Sequence, residues 1–315
     1  MRSRFGLIIV AGVFIAMAPV HAFATEPFAK VGTYAMQFLK IGPSARATGM
    51  GNAFTAIAND ATATYWNPAG MVEVTNTSVV LEHTFWPADI ALDYATAVFS
   101  MPFLPGTWGV SARALSHDPQ KERTIFLPGG TGREFDSGDM SFGISYGQYF
   151  TDKFSAGGTV HFIHSGLAEK SVNTYAVDFG LIYRIGFQGM RLGMMIQSLG
   201  GKVNYDNRES KMPTLFKVSL SMAAYERGVH SLNAVGEFTH PSDNTETMNV
   251  GGEYSFNQFF YLRGGYNIDY DSQGSAAGFG LRMDTTQTSD LNFDYSWVDL
   301  GFLGDAHRFS VGFSY

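Results

Sequence analysis

About fourteen times between residue 77 and Tyr315, large apolar side chains alternate with small or polar ones and then give way to turn-forming residues. Period two is the side-chain repeat of a β-strand, because successive residues point to opposite faces. In the clearest stretch, residues 174–185, Tyr175, Val177, Phe179, Leu181, Tyr183 and Ile185 share one face. Thr174, Ala176, Asp178, Gly180 and Arg184 share the other. Further on, Leu291, Phe293, Tyr295 and Trp297 oppose Asn292, Asp294 and Ser296. The second face is too small and polar to be half of a sandwich core. It suits the lumen of a closed barrel whose greasy face meets lipid.

The stretches begin near residues 77, 89, 106, 139, 154, 173, 190, 213, 230, 245, 259, 276, 290 and 305. Each is close to the roughly 9–11 residues a tilted strand needs to cross the hydrocarbon layer. The expected fold is therefore all-β, an antiparallel transmembrane barrel of about fourteen strands over 77–315. An even count puts both barrel ends on the periplasmic side. The connections then alternate as they should, short near 102–106, 151–153, 186–189, 226–228, 257–258 and 285–289. Longer or more polar ones lie near 116–138, 165–172, 200–212, 240–244 and 270–275, and a short outer link near 86–88. The last stretch puts Phe309, Val311, Phe313 and Tyr315 on one face and Arg308, Ser310, Gly312 and Ser314 on the other. Ending on an aromatic, it reads as a barrel-closing strand and as a signal to the barrel-assembly machinery.

The opposite end agrees with export. Arg2 and Arg4 precede an apolar run from Leu7 to Val20, and Ala22-Phe23-Ala24 forms a small-x-small cleavage pattern. The run is shorter than the ~20 residues of a spanning helix. Residues 1–24 are therefore expected to be a cleaved signal peptide, with Thr25 the first mature residue. With 0 cysteines, disulfides, thiolate metal sites and a lipid-anchored cysteine are excluded. Charged residues make up only 16%, below the quarter usual in soluble domains, and no second long apolar segment follows. Localisation in the outer membrane of a Gram-negative-type bacterium, in contact with outer-membrane lipid, follows as the expectation. The net charge of −7 argues against nucleic acid as a partner.

Residues 25–76 do not alternate and read as a hatch that plugs the barrel from the periplasmic side. Ser44 follows a Gly42-Pro43 turn as a helix cap, and the small residues from Ala45 to Asp60 suggest a short helix. Asp60 is placed to cap a turn at 61–65. Asn67-Pro68 reads as an N-cap with proline at the first helical position, and Gly70 as its exit. The run Gly42-Pro43-Ser44-Ala45-Arg46-Ala47, then Gly49-Met50-Gly51-Asn52-Ala53, Asp60 and Asn67-Pro68-Ala69-Gly70-Met71, resembles the N-terminal region of the PorV/PorQ family. These proteins are related to FadL-type long-chain fatty acid transporters. The resemblance implies a fourteen-stranded barrel with an internal hatch, and makes Gly49, Gly51, Asp60, Asn67, Pro68, Ala69 and Gly70 the hatch motif, with ligand or gating roles. It also implies one of two functions. The first is an accessory role in protein export resembling type IX secretion, with secreted proteins as partners. The alternative is hatch-gated passage of hydrophobic small molecules such as fatty acids. The modest outer loops favour the first.

Catalytic and cofactor chemistry is not written in the chain. Gly49-x-Gly51 lacks a following Lys-Ser/Thr and a leading strand, so it is no phosphate loop. His161 and His164 are three apart and should face opposite sides, and no Asp is placed by sequence to orient a base beside a nucleophilic Ser. The expectation is a non-enzyme with no cofactor and no metal. Inward charges at Arg113, Asp178, Arg184, Lys217, Glu253, Arg263, Asp269, Arg282 and Asp294 are of both signs, so they should pair across the lumen and fasten the hatch rather than filter ions. Phe38, Met50, Phe54, Tyr65 and Trp66 either line a small pocket or form the hatch's own packing. Trp108, Tyr146, Tyr149, Phe150, Tyr254, Phe256, Phe259, Tyr266 and Trp297 should form aromatic girdles.

Overall fold

The computed structural model describes residues 32–101, 103–204, 209–285 and 289–315. The expected signal peptide, 1–24, lies outside the described residues. Fourteen antiparallel strands form one closed barrel. They are β1 (Ser78–Trp86), β2 (Ile90–Ser100), β3 (Thr107–His117), β4 (Ser137–Tyr149), β5 (Phe154–Leu167), β6 (Lys170–Arg184), β7 (Arg191–Gly200), β8 (Leu215–Arg227), β9 (His230–Pro241), β10 (Thr247–Phe256), β11 (Phe260–Ile268), β12 (Ser275–Asp284), β13 (Asp290–Asp299) and β14 (Asp305–Ser314). Each begins within three residues of the position set by the alternation. Closure is made by β14 on β1, in register from Ser78 opposite Ser314 to Phe85 opposite His307. Closing the sheet removes both edges, which in lipid would leave rows of unpaired backbone groups.

The faces follow the sequence pattern. Phe309, Val311, Phe313 and Tyr315 point out and are 39% to 71% exposed, while Arg308 and Ser310 are buried inside. Aromatic pairs knit neighbouring strands on the outer face: Phe162 with Tyr175 at 5.5 Å between centroids, and Tyr295 with Phe309 at 5.0 Å. No described helix is long and apolar enough to cross a membrane, which does not bear on crossing by strands.

Two expectations about the connections are corrected. The link at 165–172 is no long loop: β5 and β6 continue to Leu167 and Lys170, joined by a tight turn in which Ala168 has φ 54°. The polar residues there extend the hairpin because cross-strand pairing satisfies their backbone better than a free loop would. Asp269 does not face the lumen. It follows the end of β11 with φ 61°, in the turn to β12.

We call the end holding Ser78 and Tyr315 proximal and the other end distal. Residues 32–77 run through the lumen along its whole length. Tyr34 bridges Lys211 in the distal β7–β8 connection, and Glu73 pairs with Arg184 and Arg191 at the proximal ends of β6 and β7. The segment therefore threads the barrel from end to end. The short helix suggested within 45–60 is α1 (Ala45–Gly49). Gly51 and Asn52 both take positive φ, 65° each, and turn the chain back. After α2 (Ala63–Trp66), Pro68–Glu73 forms a 3₁₀ turn. Ala47, Met50, Phe54, Ala63, Trp66 and Met71, none more than 1% exposed, form the plug's core across the middle of the lumen.

Candidate functional site

A hatch inside a barrel needs two things from the wall: room for its backbone, and partners for the polar groups it buries. Glycines provide the room. Gly251 of β10 and Gly265 of β11 sit opposite each other, and a Cβ on either would overlap the main chain at Met50–Gly51. A Cβ on Gly180 of β6 would overlap the Asn67 side chain. The inner face reads small in the sequence because the hatch backbone lies against it.

Carboxylates provide the partners. Glu82 of β1 accepts from the Ser44 and Ala45 amides at 2.8 and 2.6 Å, satisfying the N-terminus of α1 from the wall. Glu237 of β9 accepts from the Phe54 and Thr55 amides at 3.1 and 2.9 Å. Both acids were missed from sequence, although a lone acid on an otherwise small inward face was a usable signal. Arg46 of α1 makes a bidentate pair with Glu253 of β10, 2.8 Å at each bond, and also donates to Asp60 at 2.9 Å. Arg263 of β11 donates to the same Glu253 at 2.8 Å and to Asp294 of β13. Burial alone would disfavour the charged guanidinium of Arg46. Glu253 and Asp60 supply the opposite charges that offset this cost. Of the inward charges named from sequence, Arg113, Arg184 and Glu253 bond the hatch directly, Arg263 and Asp294 join through Glu253, and Asp178 and Arg282 pair only within the wall.

The motif residues can now be placed. Asn67 caps the 3₁₀ turn by accepting from the Ala69 amide at 3.2 Å, and its amide nitrogen donates to Thr55 O at 2.9 Å and to Leu181 O of β6 at 3.1 Å. Pro68 occupies the first position of that turn. Gly70 is not an exit from it: the residue lies within the turn, where a Cβ would overlap the Ala58 carbonyl. Gly49 abuts Gly278 of β12, Gly51 packs on the β11 backbone, and Asp60 binds the Thr62 amide at 2.9 Å. All seven belong to the seat of the hatch, and none borders the cavity described next.

We predict that Asn67→Ala lowers stability by about 2–4 kcal/mol, the desolvation of two or three orphaned backbone groups at about 1–3 each with partial relaxation. Asn67→Asp should do worse, because a carboxylate would face two carbonyl oxygens. Midpoints of thermal unfolding, read from the heat-dependent gel mobility of the barrel, check the order.

On the distal side of the plug lies a cavity of about 510 Å³. Phe38, Ile41, Trp66, Trp86, Leu115 and Val298 supply its apolar wall, and Arg308, Lys217 and Asn249 are among its polar groups. Of the five large apolar hatch residues, Phe38 and Trp66 border it, whereas Met50, Phe54 and Tyr65, with the rest of Trp66, pack in the core. Proximal to the plug are two smaller clefts of about 270 and 310 Å³, the first of them polar. Arg46 and Asn59 border both, and Asp60 borders the first.

Folding corrects the reading of the histidines in one respect. His161 and His164 do face opposite ways, but His161 Nε2 meets Asp178 Oδ2 at 2.9 Å and its Nδ1 lies 3.4 Å from Ser141 Oγ. A register shift in β6–β7 between Val177 and Phe179 frees Asp178, which also accepts from the Ser198 amide at 2.6 Å. Residues 17 and 20 positions apart meet only because β4, β5 and β6 are neighbours. None of the three borders the distal cavity.

The architecture is shared with solved structures. The Pseudomonas putida toluene transporter TodX matches with a TM-score of 0.59 at 12% identity, over 87% of this chain and 97% of its own. The Ralstonia pickettii toluene transporter TbuX matches at 0.60 and 14%, over 87% and 97%. A Pseudomonas aeruginosa FadL homologue matches at 0.52 and 13%, over 85% and 97%. At such identities the likeness is one of fold. No curated protein matches the chain. The model of one family matches residues 14–197, which take in the hatch and the first half of the barrel. This chain therefore belongs to the uncharacterised protein family UPF0164.

Proposed function

We propose that this protein lets small, mainly hydrophobic molecules cross the outer membrane of a Gram-negative-type bacterium through a hatch-gated lumen. The observation that carries the reading is the distal cavity, apolar over much of its wall and floored by the plug at Phe38 and Trp66. A solute entering from the distal side, the cell exterior in this orientation, meets the hatch and goes no further until the hatch shifts. The toluene transporters and the FadL homologue that share the fold support this reading. The order of the two functions suggested by sequence is thereby reversed. Export accessory work, implied by the PorV/PorQ-like motif, would be read on outer surfaces, whereas those motif residues are spent on seating the plug. We assign no enzymatic role.

Proteoliposomes test the proposal. Wild-type protein should speed entry of toluene into vesicles, and Leu115→Trp, which fills part of the cavity, should lower the initial rate several-fold. Entry no faster than into empty vesicles, together with an exported protein co-purifying in fixed ratio, would decide for the export reading.

A further inference from the structure

We infer that the distal cavity contains a binding site for an oxyanion group, made by Arg308 of β14 and Lys217 of β8. This rests on the lumen being a solute path and adds the charge of the solute. Most inward cations of the wall have acid partners: Arg184 and Arg191 share Glu73, Arg263 holds Glu253 and Asp294, and Arg282 pairs with Asp290. Arg113 donates to the Leu39 and Ile41 carbonyls and lies over two aromatic rings. At the cavity itself, Lys40 is paired with Asp243 at 2.8 Å.

Arg308 and Lys217 differ. Arg308 is 3% exposed, and its Nε and Nη1 have no hydrogen-bond partner. Its guanidinium lies 5.2 Å from the Trp86 ring centroid. The neighbouring wall acid, Glu82, already gives both oxygens to the hatch amides of Ser44 and Ala45. Lys217 is 6% exposed, with its ammonium 4.9 Å from the Trp66 ring centroid and in no ion pair among the described residues. Both border the same cavity. A buried cation without a counter-ion is unfavourable by several kcal/mol, and ring faces offset only part of that. An anion entering the cavity from solution offers a counter-charge to both groups. An unpaired guanidinium can present two parallel N–H groups to the paired oxygens of a carboxylate, sulfonate or phosphate.

The rest of the cavity limits what carries that group. Asp139 and Asp271 also border it, so the ligand bears its charge at one end. Ile41, Leu215 and Val298 give an apolar body somewhere to lie. A compact organic anion fits, and a bare oxyanion uses the same two cations.

Equilibrium binding to the detergent-purified full chain, followed by calorimetry, tests this with three probes: benzoate, its neutral counterpart toluene, and inorganic phosphate. We expect benzoate to bind at least about tenfold more tightly than toluene. Arg308→Gln and Lys217→Gln should each abolish that margin. Phosphate that binds with the same dependence on Arg308 identifies a free oxyanion as the ligand, and phosphate that does not bind identifies an organic anion. Heat-dependent gel mobility confirms that each variant is folded, and Arg308→Lys, which keeps the charge but loses the fork, should retain part of the margin. Benzoate no tighter than toluene, or a margin untouched in folded Arg308→Gln and Lys217→Gln, overturns the inference. Failure of the passage reading is separate, since it would show as absent toluene entry whatever the binding results.

Discussion

Replacing Glu253 with alanine should detach the hatch from the wall while leaving the barrel intact. Five side chains alternate in sign across the lumen, Asp60, Arg46, Glu253, Arg263 and Asp294, and Glu253 is the member that joins the hatch arginine to the wall arginine. The carboxylate is 3% exposed. Removing one partner from a buried ionic network leaves uncompensated charge, at a cost of about 3–5 kcal/mol. Here two arginines lose their shared acceptor and are left to repel each other. The barrel ladders do not depend on this network, so the loss falls on hatch docking. Amide hydrogen exchange should therefore accelerate by about a hundredfold or more over residues 44–60, in keeping with local opening energies of that size, and stay unchanged in the β-strands. Glu253→Gln, which keeps the shape and can still accept hydrogen bonds, should fall between. Wild-type exchange in the hatch of Glu253→Ala would show that the network contributes nothing to docking.

A second large effect is expected from one glycine and not from its neighbour. Gly265 faces inward, where a Cβ would overlap the hatch main chain at Met50–Gly51. Gly264, one residue earlier, faces outward with nothing within 4 Å of an added Cβ. Overpacking a well-filled core costs about 1–3 kcal/mol when side chains can move aside, and more when, as here, the obstacle is backbone. In Gly265→Val the hatch should fail to seat. Planar-bilayer recordings should then show steady ion conductance where the wild type is nearly silent. Gly264→Val should behave as wild type, because valine suits an outward strand position in lipid. Equal conductance in the two variants would mean that the plug is not what closes the lumen.

The glycine pair also marks how far the sequence could be read. Gly264 and Gly265 look alike in the chain, and only the presence of Met50–Gly51 against one of them separates their roles. The same holds for the motif residues. Asn67-Pro68 was legible as a cap and a first turn, because those interactions span two residues. That the Asn67 amide also reaches Leu181, 114 positions away, was not. Gly70 was misread as a helix exit because local sequence reports turn propensity and carries no trace of the Ala58 carbonyl packed against it. His161 was dismissed as a candidate base since its acid lies on the next strand, at a register shift that alternation does not predict.

The sequence by itself determined the strand number, the lipid and lumen faces, the end on which the barrel closes and the presence of an irregular segment ahead of it. Each of these depends on period-two patterning and turn chemistry, which act between residues a few positions apart. Tertiary structure alone decided that this segment threads the full lumen, that Glu253 and Arg46 meet across 207 positions, and that Arg308 and Lys217 enter no ion pair among the described residues. The physical reason is closure. Once the first and last strands pair, every inward side chain confronts others that no local pattern specifies, and which charges find partners is settled by the geometry of the enclosed space.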